Sequence, residues 1–138
     1  MNGRAVAVLF TIAVLLTACG GSAQQAGGAG DPANGDKLFH QAKIGAAPGC
    51  ATCHSTEPGK VLFGPSLAGI ATDAAQTPSE EGYEGTAKNA AEFLRESILN
   101  PDVDVPEDFQ PNVMPQTYKT ELTDRQLNDL VAYLLTLK

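Results

Sequence analysis

The residues best suited to chemistry are two cysteines and a histidine in the run Cys50-Ala51-Thr52-Cys53-His54. Two thiols in this spacing can reach the two vinyl groups of one porphyrin, and the adjacent imidazole can then bind the iron. The pair could instead form a disulfide, a redox dithiol or half of a zinc site, but no second such pair completes a zinc site. The motif predicts one covalent haem c on Cys50 and Cys53, with His54 as axial ligand; a thiol–disulfide oxidoreductase is the alternative.

A second axial ligand is predicted from the side chains that usually bind haem iron, thioether and imidazole. Beyond residue 18 the chain holds one methionine, Met114, and one further histidine, His40. Pro115 biases Met114 toward an extended backbone, so a loop can aim its side chain. We predict Met114 as the sixth ligand and His40 as a solvent-facing residue. The alternatives are a core methionine and bis-histidine ligation through His40, which would lower the reduction potential.

The N-terminal segment is predicted to be an export signal. Arg4 supplies a basic start, and residues 5–16 form an apolar run that is short for a membrane span. An uncleaved anchor helix is the alternative. The run LTACG at residues 16–20 resembles the lipobox of bacterial lipoproteins. This resemblance implies cleavage before Cys19 and lipidation of its sulfur, and attached acyl chains hold a protein at a membrane.

This interpretation divides the chain into three parts. Residues 1–18 are predicted to be a lipoprotein signal peptide, and residues 19–30 the lipidated cysteine with a flexible linker. The linker lacks charge and large apolar side chains. Residues 31–138 are predicted to be one folded domain. The expected location is the outer face of a bacterial cytoplasmic membrane.

The charge balance argues against a nucleic-acid partner. The net charge is −7, from 16 acidic and 9 basic residues, whereas phosphate binding needs clustered Lys and Arg. An acidic run before Met114 is predicted to be either a solvated loop or a docking rim that steers a protein partner. Its members are Asp102, Asp104, Glu107 and Asp108.

Helix signals occur at three places, over residues 32–43, 89–99 and 124–137, and no strand of convincing length is predicted. The capping residues are Asp31 or Asn34 for the first helix, Asn89 with Glu92 for the second, and Thr123 with Gln126 for the third. Each predicted helix has one apolar face. The face comprises Gly35, Leu38, Phe39 and Ala42 on the first helix, Ala91, Leu94 and Ile98 on the second, and Leu127, Leu130, Val131 and Leu134 on the third. Residues 44–73 and 101–117 are predicted to be irregular. Loops this long suggest that a large bound cofactor gives them their shape.

A family resemblance rests on five features in order. They are Gly35 with Phe39, the CATCH run, Phe63-Gly64-Pro65-Ser66-Leu67, Met114-Pro115, and Leu130-Val131-Ala132-Tyr133-Leu134. With them, residues 35–138 resemble the class I cytochromes c. The resemblance implies an all-α fold of three to five helices, with loops wrapping one haem. The first and last helices would cross near Gly35, with Phe39 packed on Tyr133. The Pro65 carbonyl would accept a hydrogen bond from His54 Nδ1; a plain turn proline is the alternative.

Residues 92–117 carry a narrower resemblance. They look like the cytochrome domains of membrane respiratory assemblies, such as subunit II of caa3-type oxidases and the monohaem lipoprotein subunit of alternative complex III. The copper-binding portion of subunit II is not in this sequence. The resemblance therefore implies either the lipoprotein subunit or a free tethered carrier.

The predicted function is one-electron transfer between a protein donor and a protein acceptor in a respiratory or photosynthetic chain. With both axial positions filled, no small-molecule substrate would bind the iron, and the chain on its own would not be an enzyme. The alternative from the enzyme class is an open-site haem enzyme or sensor, such as a peroxidase, which needs a vacant sixth position.

Overall fold

A computed structural model describes residues 29–138 of the chain. The predicted signal peptide, the lipidation at Cys19 and most of the linker lie outside these described residues. Among the residues described, no helix has the length and apolar character needed to cross a membrane.

Five α-helices and one small hairpin form the regular structure of this range. The helices are α1 Pro32–Phe39, α2 Ile70–Gln76, α3 Ala90–Leu99, α4 Tyr118–Glu121 and α5 Asp124–Leu134. The strands are β1 Lys43–Ile44 and β2 Ala47–Pro48, which pair antiparallel with Ile44 opposite Ala47. Single 3₁₀ turns occur at Cys50–Thr52 and Thr77–Ser79. The predicted all-α fold of three to five helices is confirmed.

The first and last helices cross in close contact, and α1 packs chiefly on α5. A Cβ atom on Gly35 would lie 2.0 Å from the backbone oxygen of Asp129, so the crossing requires a residue without a side chain. The rings of Phe39 and Tyr133 lie 5.4 Å apart between centroids. The Asp129 carboxylate accepts a hydrogen bond from the Asp31 backbone at 2.7 Å, which ties the start of the domain to α5. The implied crossing near Gly35 is confirmed.

Local sequence signals set the starts of three helices. The Asp31 side chain accepts from the N–H of Ala33 at 2.9 Å and caps α1. The Asn89 side chain accepts from the N–H of Glu92 at 3.1 Å and caps α3. At α5, Thr123 and Gln126 form the complete reciprocal capping box. These capping predictions are confirmed, and the four predicted core residues of α5 are buried.

The predicted end of the first helix is wrong. The helix ends at Phe39, four residues before residue 43, and Ala42 is exposed. The Ala42 carbonyl instead accepts from the N–H of Gly49 at 3.0 Å, which closes the β1–β2 hairpin. Its turn contains Gly45 at φ +58°, a left-handed conformation that suits glycine. The hairpin buries Ile44 and Ala47, and this burial outweighs the helical pattern around Ala42.

Other boundaries also differ from the prediction. Helix α5 ends at Leu134, and the last residues form tighter turns, with the Leu137 N–H bonded to the Leu134 carbonyl at 3.1 Å. Helices α2 and α4 were not predicted, and α2 begins inside the stretch expected to be irregular. Both helices are short and lack a side-chain cap, so the sequence carries no start signal for them. Residues 101–117 contain no helix or strand, as predicted.

Candidate functional site

The CATCH motif forms a single helical turn that faces a cavity. The 3₁₀ turn at Cys50–Thr52 is followed by a hydrogen bond from the His54 N–H to the Cys50 carbonyl at 2.9 Å. This turn places the side chains of Cys50, Cys53 and His54 along one cavity wall. Both cysteines are half-buried. The spacing read from the sequence therefore presents two thiols and one imidazole to the same space.

A closed loop orients the His54 imidazole. The Gly64 N–H donates to the Cys53 carbonyl at 2.9 Å, and the Leu67 N–H donates to the Ser55 carbonyl at 2.7 Å. These bonds bring the Pro65 carbonyl to 3.0 Å from His54 Nδ1. A proton on Nδ1 donates to that carbonyl, which leaves the lone pair on Nε2. Burial lowers the pKa of His54, against the opposing effect of the Pro65 bond, and favours this neutral form.

Gly64 forms a second support for the imidazole. A Cβ atom at this position would lie 2.6 Å from His54 Cε1 and 2.9 Å from Nδ1. The backbone of the loop therefore packs directly on the ring, where any side chain would displace it. Sequence analysis quoted Gly64 as part of a motif but gave it no role. The one sequence feature that could have indicated this role is the position of Gly64 directly before Pro65, whose carbonyl accepts a hydrogen bond from His54.

Met114 reaches the same cavity from the irregular segment before α4. The Asn112 N–H donates to the Asp102 carboxylate at 2.8 Å, which braces the loop from within. Asn112 has φ +62°, a left-handed conformation that asparagine tolerates better than most residues. The structure therefore brings Met114 and His54, which are 60 positions apart in the sequence, to one cavity.

His40 lies elsewhere. Its side chain is exposed, and Nδ1 lies 2.9 Å from the Asp36 carbonyl and 3.1 Å from the Asp36 carboxylate. The ring meets Phe39 edge-on at 5.1 Å between centroids. His40 is absent from the residues that line the cavity. The prediction of a solvent-facing histidine is confirmed, and the geometry disfavours bis-histidine ligation.

Apolar side chains form most of the cavity wall, and they come from four helices, from the loop before α2 and from the segment 101–117. They include Phe39, Leu67, Ile70, Phe93, Leu94 and Leu130. Asp102 and Asp104 bring charge to the same cavity. Two thiols, an imidazole with a free lone pair and a thioether within apolar walls form a donor set that fits a covalently attached haem.

Tyr118, which sequence analysis missed, also lines this cavity. It is 4% exposed, and its hydroxyl donates to the Pro48 carbonyl at 2.7 Å. Burial raises the pKa of Tyr118 to about 12, so the phenol keeps its proton at neutral pH. The sequence offers no signal for this contact, because the partners are 70 positions apart.

The thiol chemistry disfavours the oxidoreductase alternative. Burial raises the pKa of the Cys50 thiol to about 11, whereas a reactive redox cysteine has a lowered pKa. Within residues 29–138, no three His, Cys, Asp or Glu side chains form a group suited to a metal ion, so the motif does not complete a zinc site. A separate shallow groove between α3 and α5, lined by Arg95 and Asn128, contains none of the predicted site residues.

A comparison with known protein families identifies a matching family. Residues 32–138 match the family described as Cytochrome c. The matched range includes all five helices and every residue that lines the cavity.

Proposed function

This chain belongs to the cytochrome c family, and we propose that it is a membrane-anchored, single-haem electron carrier with histidine and methionine as axial ligands. Family membership establishes that the protein binds haem c covalently and works in electron transfer, as carriers of this family do. The observation that supports the finer proposal is the meeting of Cys50, Cys53, His54 and Met114 in one largely apolar cavity.

Each of these four side chains has a separate role in the proposal. Cys50 and Cys53 hold the haem by two thioether bonds, and His54 binds the iron through Nε2. The Pro65 carbonyl keeps the proton on Nδ1 and makes the imidazole a stronger ligand. Met114 would be the second protein ligand of the iron.

The bound haem supplies a one-electron ferrous–ferric couple. With two protein ligands, the iron would offer no position for a substrate, and the chain would act as a one-electron carrier. The apolar walls and the thioether ligand favour the reduced state, which carries less charge. An open-site enzyme would need Met114 away from the iron, and its place in the cavity argues against that alternative.

The N-terminal segment supports a tether. A lipid on Cys19 would hold the domain at the outer face of the cytoplasmic membrane, and the 11 residues of the linker span about 40 Å at most. The domain would therefore stay within reach of redox proteins in the same membrane. Together with the likeness of residues 92–117 to respiratory cytochrome domains, this supports a role within or beside a respiratory or photosynthetic complex.

The mouth of the cavity has the character of a partner surface. Val61 is 59% exposed and Leu62 44% exposed, and they directly precede Phe63, which lines the cavity. Phe63 ends an exposed Val-Leu-Phe run at residues 61–63. Contiguous exposed apolar side chains often mark interaction sites. With Asp102 and Asp104 at the same cavity, this surface combines exposed apolar side chains with acidic ones. We therefore propose a binding partner whose own surface carries basic residues around an apolar centre.

The ligand assignment is tested with Met114→Ala in the purified haem protein. The reduction potential should fall by on the order of 0.2 V, within the roughly 0.8 V range that axial ligands span. The ferric variant should also bind cyanide or imidazole readily. Val61→Ala is the matched control, because Val61 is exposed and does not line the cavity, and it should change neither property. An unchanged potential in Met114→Ala excludes Met114 as the ligand.

The tether is tested by membrane fractionation with a stain for covalent haem. The stained chain should be found with the membranes, and Cys19→Ser should move it to the soluble extracytoplasmic fraction. A native gel of mild-detergent extracts, followed by a denaturing second dimension, then shows whether the chain is a subunit of a large complex or a free tethered carrier. A stained spot from a large complex indicates a subunit, and one from a small species indicates a free tethered carrier. A located chain without haem stain refutes the assignment as a whole.

A further inference from the structure

Two short elements stand next to the proposed ligands in the sequence and contact each other in space. Strand β2 ends at Pro48, two residues before Cys50, and α4 begins at Tyr118, four residues after Met114. The Tyr118 hydroxyl donates to the Pro48 carbonyl at 2.7 Å. At the other end of α4, the Glu121 carboxylate accepts from the Ala46 N–H at 3.1 Å. Helix α4 is therefore bonded to the hairpin at both of its ends.

The shape of the hairpin admits this contact. A Cβ atom on Gly45 would lie 1.8 Å from Glu121 Oε2, so the glycine leaves the space that the carboxylate occupies. Gly45 also has φ +58°, which places it at the turn. The two bonds differ in environment, because the Tyr118 ring is 4% exposed whereas Ala46 lies at the surface. Water competes less for the buried bond, which is therefore the stronger connection.

Few hydrogen bonds join the Met114 loop to the turn that carries His54. Residues 101–117 have no regular backbone ladder, and the bond between Asn112 and Asp102 lies within the loop itself. Within residues 29–138, the two bonds of α4 are the hydrogen bonds that join residues 101–121 to residues 43–54. Besides packing against the common core, the hydrogen bonds between α4 and the hairpin therefore help to fix the separation of the two proposed ligands.

We propose that α4 and the β1–β2 hairpin form a clamp, in which Tyr118 is a positioning residue that holds Met114 opposite His54. This inference rests on the proposed histidine–methionine ligation. The tyrosine acts through the loop and not on the iron. Without the hydroxyl, the loop opens more often, and Met114 yields its place to an added ligand more readily.

The test uses the full-length haem protein and measures imidazole binding to the ferric form. Tyr118→Phe keeps the ring and removes the donor. Loss of one buried hydrogen bond should raise the apparent imidazole affinity and binding rate about tenfold. Tyr83→Phe is the matched control, because the Tyr83 hydroxyl also bonds a partner, Glu96, and Tyr83 does not line the cavity. It should leave imidazole binding unchanged.

Denaturant unfolding of both variants separates positioning from general stability. Both are expected to lose stability, but only Tyr118→Phe should gain imidazole affinity. Equal imidazole binding in both tyrosine variants overturns the clamp. If Tyr118→Phe does not accumulate with haem, Glu121→Gln replaces it as the test, because this substitution weakens the exposed bond to Ala46. Glu121→Gln should raise the imidazole affinity about two- to threefold. An unchanged imidazole affinity in that variant also overturns the clamp. Failure of the proposed ligation is recognised separately, because the unmodified protein would then already bind imidazole as readily as Met114→Ala.

Discussion

The α1–α5 crossing and the loops around the cavity are held together by different interactions. The crossing is closed by burial, with Phe39 and Leu130 each 1% exposed and a glycine at the closest approach. The loops are closed by individual hydrogen bonds, namely His54 to Pro65, Asn112 to Asp102 and Tyr118 to Pro48. Burial energy is spread over many contacts, whereas a single hydrogen bond can be removed by one substitution.

This difference separates two kinds of expected defect. A change at the helix crossing should lower the free energy of unfolding of the whole domain. A change in the loops should alter the haem ligands while most of the domain stays folded. Substitutions in the two regions should therefore differ in whether they change the stability of the domain or the properties of the haem site.

The largest effect is expected for Gly35→Ala. The new Cβ would lie 2.0 Å from the Asp129 oxygen and force the helices apart, with a loss of about 2–3 kcal/mol in the free energy of unfolding. Denaturant unfolding of the haem protein measures this loss. Ala33→Ser, at an exposed position of α1, is the control and should be within about 0.5 kcal/mol of the parent. Helix propensity alone favours alanine by about 1 kcal/mol, so a stabilised Gly35→Ala variant would show that the crossing is not tight.

Gly64→Ala should alter the haem site more than the fold. Its Cβ would lie 2.6 Å from His54 Cε1 and tilt the ring away from the Pro65 carbonyl. We expect a shifted reduction potential, an altered ferric spectrum and a loss of about 1–2 kcal/mol in stability. Gly59→Ala is the control, because it lies at φ +71° with no atom near the added Cβ. That variant should lose stability through backbone strain and keep the parent's potential; equal potentials in both variants would contradict the role of Gly64.

A smaller, pH-dependent effect is expected at Glu96 on α3. Its carboxylate accepts from the Tyr83 hydroxyl and from the Thr86 N–H at 3.0 Å, fastening the loop before α3. These bonds lower the pKa of Glu96 below its ordinary value of 4.5, and the bond from Tyr83 has the largest effect. The stabilisation is therefore present above pH 4.5 and is lost as the pH falls through the lowered pKa.

Glu96→Gln measures that contribution. The variant should lose about 1–2 kcal/mol at pH 7, and the difference from the parent should shrink as the pH falls below 4.5. Unfolding curves across this pH range test it, with Glu84→Gln on the same loop as the control. A difference that stays constant with pH would mean that the charge of Glu96 contributes nothing. The haem potential should not change, because Glu96 does not line the cavity.

The smallest effect on stability is expected for the acidic residues near the cavity mouth. Asp104→Asn and Asp108→Asn should each change the free energy of unfolding by less than about 0.5 kcal/mol. At low ionic strength each should slow reduction of a cationic metal complex such as hexaammineruthenium(III), about twofold, and accelerate reduction of ferricyanide. Asp124→Asn on α5 is the control. Equal rates for all three variants would remove the acidic residues from the proposed partner surface.

The starts of the main helices were predictable because the sequence signals for them are local. The capping box of Thr123 and Gln126 and the cap of Asn89 involve residues three positions apart, so the sequence alone contains both partners. The end of α1 was not predictable, because a hairpin closed by Ala42 and Gly49 competes with the helix. Helices α2 and α4 have no side-chain caps and form through tertiary packing.

The sequence by itself determined which residues could carry the chemistry. The spacing of Cys50, Cys53 and His54 is a property of one helical turn, and Met114, the proposed second ligand, is the one methionine beyond residue 18. Only the tertiary structure decided how these groups are held. The packing of Gly64 on the imidazole and the bond from Tyr118 to Pro48 join distant segments. No local pattern encodes such contacts, because they exist only after the burial of apolar helix faces has brought the loops together.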